Sequence, residues 1–108
     1  MKGQGPWLAM GLSDRTRLIM LFQRRDDAAR SLASLMDREA RLERELTMLL
    51  ARRAKLANQG ERNTAEDLLD RINKIQGEIR SDSDGIEKAQ KTIAEYDREI
   101  AEIRKRIV

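Results

Sequence analysis

The chain has 108 residues, of which 38% are charged and only three are aromatic: Trp7, Phe22 and Tyr96. Its 22 basic and 19 acidic side chains leave a formal net charge of only +3. With no Cys and no His, it has no thiolate–imidazole zinc site, Cys nucleophile, disulfide or His general base.

The scarcity of aromatics argues against a compact globular core, which draws much of its buried area from such rings. A chain rich in Ala, Glu, Lys, Leu and Arg with few helix breakers has instead the composition of long helices or coiled coil. The chain is short enough for one domain.

Residues 1–12 read as a flexible or docking segment, with Trp7, Leu8, Met10 and Leu12 as its apolar side chains. This stretch is too short for a signal-peptide core, and Asp14, Arg15 and Arg17 follow at once. No run approaches the ~18 apolar residues of a spanning helix. A cytoplasmic protein is the expectation.

From Ser13, a suitable N-cap, the pattern predicts a helix over 13–57. Position d of its heptads holds Leu21, Ala28, Leu35, Leu42, Leu49 and Leu56. Position a alternates Leu18, Arg25, Leu32, Glu39, Leu46 and Arg53. Residues 58–62 (Asn-Gln-Gly-Glu-Arg) read as a turn. Asn63, with Glu66 three residues on, has the look of a capping box opening a second helix over 63–107. That helix carries Ile72, Ile79, Ile86, Ile93, Ile100 and Ile107 at successive a positions, and a repeat sustained over this many heptads marks a coiled-coil seam.

The two repeats are in phase with one another. If the chain folds back about Gly60, Leu49 meets Ile72, Leu42 meets Ile79, Leu35 meets Ile86, Ala28 meets Ile93 and Leu21 meets Ile100, and each pair of numbers adds to 121. A parallel rod would strand Gly60 and its polar neighbours inside a helix for no reason. The expected fold is all-α: a long antiparallel two-helix coiled-coil hairpin, dimerising into a four-helix bundle. In outline it resembles several small helical-hairpin families, secretion-apparatus stalk proteins among them, and that resemblance is of architecture alone.

Three layers of the seam are polar. Arg25 faces Tyr96, which suggests a cation–π contact or a snorkelling stem. Arg53 faces Leu68 near the turn, with water in reach of its head. Glu39 faces Asp82, two carboxylates that repel unless a proton or cation intervenes. Either this is a metal or acid–base site, or it is an opened, hydrated layer with Arg38 and Arg80 beside it. No third ligand or nucleophile lies near in sequence, so the second reading is preferred and no cofactor is expected. The run from Ser81 to Gly85 superficially matches a calcium loop. The flanking ligand positions fall on Arg80 and Lys91, and the match fails. With Ile79 and Ile86 still seven apart, the helix is expected to continue through it.

Helix one has more apolar surface than helix two can cover. Phe22, Ala29, Met36 and Leu50 follow directly after d residues, whereas the equivalent positions of helix two are mostly polar. These four mark a face for a second copy of the chain or for another protein's helix. The run Leu18-Ile19-Met20-Leu21-Phe22 is apolar on all sides, and the N-terminal segment folding back over it is one way to cover it. A membrane-surface anchor would want several cations beside that run, and Arg15, Arg17, Arg24 and Arg25 supply them only in part.

Charge is unevenly spread. Residues 13–58 hold eleven basic and seven acidic side chains, a net +4, while residues 61–108 hold ten and twelve. Arg15, Arg17, Arg24, Arg30, Arg38 and Arg41 are therefore the candidates for a nucleic-acid face. Asp26, Asp27, Asp37, Glu43 and Glu45 break them up, unlike the uninterrupted cation surface of most nucleic-acid binders. The expectation is a non-enzymatic coiled-coil interaction protein (oligomeric scaffold, adaptor, stalk, or small chaperone or inhibitor). Nucleic-acid association is the alternative, and a membrane contact stands below both.

Overall fold

The computed structural model describes the backbone of residues 5–107 and the side chains of residues 13–106. Two α-helices account for it, α1 (Gly5–Asn58) and α2 (Arg62–Ile107). They form an antiparallel helical hairpin, described below as two compact units, Ala33–Glu87 and Met1–Leu32 with Lys88–Val108.

Helix α1 begins eight residues before the start expected at Ser13. Pro6 falls in its first turn, where a missing N–H leaves nothing unsatisfied and the fixed φ already suits a helix. Gly11 costs only about 1 kcal/mol in a helix interior, and no stronger breaker intervenes before Gly60. Ser13 is consequently an interior helical residue, not an N-cap. Residues 5–12 prolong α1 and do not turn back over Leu18–Phe22. The side chains of Trp7, Leu8, Met10 and Leu12 lie outside the described residues.

The Ala33–Glu87 unit contains the turn. The N–H of Glu61 donates to the carbonyl of Leu56 (3.0 Å) and that of Gly60 to Ala57 (3.1 Å). This pair of bonds is the Schellman pattern, which satisfies the last carbonyls of a helix and requires a left-handed residue. Gly60 provides it, at φ 84°. The carbonyl of Glu61 then accepts from Ala65 N–H (3.0 Å), so Glu61 occupies the N-cap position of α2. Asn63 thus sits inside the first turn and Glu66 beyond it, and the expected capping box is displaced by the tight exit from α1.

Replacing Gly60 with Ala should cost about 1–2 kcal/mol, the penalty of a left-handed L-residue. Gly77 lies mid-helix with open space around it. Changing it to Ala should instead gain about 0.5–1 kcal/mol. Thermal unfolding of the two variants should therefore move in opposite directions.

In this unit Ala65, Ile72, Ile75 and Asp82 are buried. Leu35, Leu42, Leu46, Leu49, Leu56, Leu68, Ile79 and Ile86 are half-buried. Side-chain pairs across the helices join Arg38 to Asp82, Glu39 to Ser83, Glu45 to Arg71 and Arg53 to Glu66, with numbers adding to between 116 and 122. Helix α2 runs unbroken through Ser81–Gly85. Gly85 there lets Leu35 approach closely: a Cβ at that position would lie 3.3 Å from Leu35 Cδ1.

In the unit of Met1–Leu32 and Lys88–Val108, Leu21, Ile100 and Ile103 form one buried cluster, with Leu18 and Tyr96 against it. Ala28, Leu32, Ala89 and Ile93 are half-buried. Asp14 is buried and lies 3.8 Å from Arg106 Nη1. Arg17 pairs with Glu99 at 3.5 Å. Three cations in the last turn of α2, Arg104, Lys105 and Arg106, oppose the negative end of the helix dipole.

Candidate interaction face

A heptad has seven positions, and a and d are spent on the hairpin seam. In α1 the e positions are Phe22, Ala29, Met36, Glu43, Leu50 and Ala57. The b positions are Ile19, Asp26, Ala33, Ala40, Thr47 and Ala54. At about 100° of rotation per residue these two sets adjoin, forming a second stripe beside the first.

In the Ala33–Glu87 unit that stripe is Ala33, Met36, Ala40, Glu43, Thr47, Leu50, Ala54 and Ala57, all exposed. Met36 keeps 53% and Leu50 44% of its surface in water. The e positions of α2 in this unit are Arg62, beside the turn, and then Leu69, Gln76 and Ser83, the last three uncharged. Glu43 is thus the one charged side chain of the α1 stripe, and Arg62 the one on the α2 side. Met48, although exposed, sits at a c position away from the stripe, and a lone apolar residue on a surface is ordinary.

In the other unit Ile19 and Met20 are exposed, while Ala29 is half-buried. The ring of Phe22 lies under the Arg104 guanidinium, 5.3 Å from its centroid. This cation–π contact joins a different pair from Arg25 and Tyr96, for which such a contact or a snorkelling stem was expected. Arg25 turns to Asp97 instead, donating from Nε to Oδ1 and from Nη2 to Oδ2 (3.5 Å). The hydrogen bond first, and then the charge of Asp97, raise the Arg25 pKa above its ordinary value, so the guanidinium stays charged. A carboxylate outcompetes a ring face for a guanidinium because it offers two charge-assisted bonds in matching geometry.

The b positions were legible in sequence through the same seven-residue spacing. Three of them are alanines, and a small side chain carries little hydrophobic signal. Their importance is geometric, since small residues let another helix come close.

The polar layer at Glu39 and Asp82 is drier than expected on the α2 side. Asp82 is 5% exposed, and its Oδ2 lies 3.4 Å from Arg38 Nε without a hydrogen-bond donor. Glu39 accepts from Ser83 Oγ at 3.4 Å. Among the described residues no group of three or more His, Cys, Asp or Glu side chains is placed to hold a metal ion. Near the turn, Arg53 reaches Glu66 at 3.7 Å, but its Nε is buried without an acceptor.

Of the six arginines considered for nucleic acid, four lie beside carboxylates: Arg17 with Glu99, Arg30 with Asp26, Arg38 with Asp82 and Arg41 with Asp37. The six are spread over heptad positions c, e, f and g, so the helix does not gather them on one face. Among the described residues no helix is long and apolar enough to cross a membrane. Compared with known protein families, characterised proteins and solved structures, the chain shows no match.

Proposed function

We propose that this chain is a non-enzymatic coiled-coil interaction protein of the cytoplasm, working by presenting the second stripe of α1 to a protein partner. The observation that carries this reading is the exposed stripe of e and b positions between Ala33 and Ala57, in which Glu43 is the one charged side chain. Helix-in-groove recognition uses anchors at such i, i+3, i+4, i+7 spacing. Leaving them exposed gains nothing for the hairpin itself.

Replacing Met36 and Leu50 together with Lys should abolish capture of the protein partner from native lysate. Because both side chains are exposed, unfolding stability should change by only about 0.5 kcal/mol per site. Capture that survives the double change would reject this face.

The +4 excess of residues 13–58 supports a second reading, association with nucleic acid through the arginines of α1. In that case capture would be lost on nuclease treatment and would weaken steeply with salt, as released counterions require.

A further inference from the structure

We infer that the end of the hairpin where α1 begins and α2 finishes is a docking face for the surface of an anionic lipid bilayer. The inference does not depend on the stripe at residues 33–57.

Along the chain, Arg15, Arg17, Arg24 and Arg25 supply only part of the charge that an anchor at Leu18–Phe22 wants. Folding supplies the rest from the far end of the sequence. Arg104 lies over the Phe22 ring, and Arg104 and Lys105 line the same groove between the helices as Phe22 and Ala101. Residues 13–25 and the opposite stretch of α2, residues 96–106, hold eight basic and four acidic side chains, a net +4. Residues 26–95 hold thirteen and fifteen, a net −2. The positive charge of the chain is therefore concentrated where its two ends meet.

Apolar and basic groups share one side of this end. At about 100° of rotation per residue, Arg15 and Phe22 at e and Ile19 at b point the same way from α1, and Phe22 adjoins Ala101, Arg104 and Lys105 of α2. Ile19 keeps 59% and Phe22 42% of its surface in water. The one carboxylate lining the groove, Asp97, is held by Arg25. Met20, at c, lies round the helix from this side.

A few apolar side chains or a modest cluster of cations is each a weak anchor, and a bilayer rewards the two together. Cations meet the lipid phosphates while the apolar groups enter the boundary between headgroups and acyl chains by about 5–10 Å. A nucleic-acid duplex would attract the same cations but offers Ile19 no apolar phase. Among the described residues no helix is long and apolar enough to cross a membrane, so the contact is with its surface.

The full chain would be co-sedimented with vesicles of phosphatidylcholine alone and with vesicles of equal parts phosphatidylcholine and phosphatidylserine. Binding is expected only to the second. Arg104→Gln with Lys105→Gln should weaken it roughly 25-fold, at about fivefold for each cation near the surface. Ile19→Ser, which alters no charge, should weaken it roughly tenfold by removing an inserted side chain. All three side chains are exposed, so the helical spectrum of these variants should match that of the unaltered chain. A chain that stays in the supernatant with both vesicles overturns the inference. Equal binding to the two vesicles overturns it as well, since charge would then select nothing. If Ile19→Ser binds as the unaltered chain does and double-stranded DNA displaces the vesicles, the cations attract any polyanion, and nucleic acid replaces the bilayer as the occupant of this face.

Discussion

Replacing Ile103 with Ala should lower unfolding stability by about 2–5 kcal/mol, the range for emptying an enclosed aliphatic site. Ile103 is 1% exposed and shares its cluster with Leu21 and Ile100, so the lost volume has walls that cannot easily collapse. The same change at Ile79, which is only half-buried, should cost less, about 1–2 kcal/mol, because water reaches the gap and part of the side chain was never desolvated. Urea unfolding at one fixed protein concentration is the suitable measurement, since any self-association adds a concentration-dependent term. Equal losses at the two positions would mean that the cluster around Ile103 is no tighter than the rest of the seam. A loss under ~0.5 kcal/mol at Ile103 would contradict its burial outright.

The unequal burial has a simple origin. Two helices alone share a single seam, and an a or d side chain is enclosed only where its neighbours are bulky on both strands. Leu18, Leu21, Tyr96, Ile100 and Ile103 fulfil that condition together. Ile79 and Ile93 have the right heptad position but lie next to weak layers, with Asp82 beside the first and Ala28 and Ala89 beside the second. Counting heptads finds the seam, and only the sizes of facing side chains tell how dry each layer becomes.

The same limit separates what the sequence foretold from what it did not. An invariant seven-residue period in Ile, matched by a Leu period running the other way, determines helix, direction and register, because one slip would expose every seam residue. The end at Gly60 is equally legible, since no other residue of the turn tolerates positive φ so cheaply. The start of α1 is less so. Propensity at residues 5–12 is mediocre, and Ser13 offers a cap of the right chemistry, yet nothing upstream forces the helix to stop. Side-chain partners were the hardest to foresee. Arg25 has Tyr96 and Asp97 within one residue of each other, and the choice depends on rotamer geometry that a heptad diagram does not contain. For the second stripe the large e residues were visible, but the alanines that shape it at b emerged only once the seam had been fixed.

Asp82→Leu should raise stability by about 1–4 kcal/mol, the reverse of the usual result of altering a buried residue. The carboxylate occupies a d position of α2 and is almost fully withdrawn from water, yet its Oδ2 receives no hydrogen bond. Its compensation is a single ion pair with Arg38 at 3.4 Å, and the Arg38 side chain is itself 53% exposed. An ion pair that is dry on one side and wet on the other recovers too little Coulomb energy to repay desolvation. Leu at 82 would continue the apolar row from Ile75, and the guanidinium of Arg38 would simply return to water with no orphan left behind. Arg38→Ala should do the opposite, costing about 1–3 kcal/mol by leaving the carboxylate buried without its cation. The contrast in sign between the two members of one pair is the measurement to make, by urea unfolding of both single variants. A loss of stability in both would mean that the pair is a net stabiliser. A gain at Asp82 accompanied by mixed oligomeric species would show instead that this polar layer holds the two helices in register, a role that buried polar positions in coiled coils fulfil at the expense of stability.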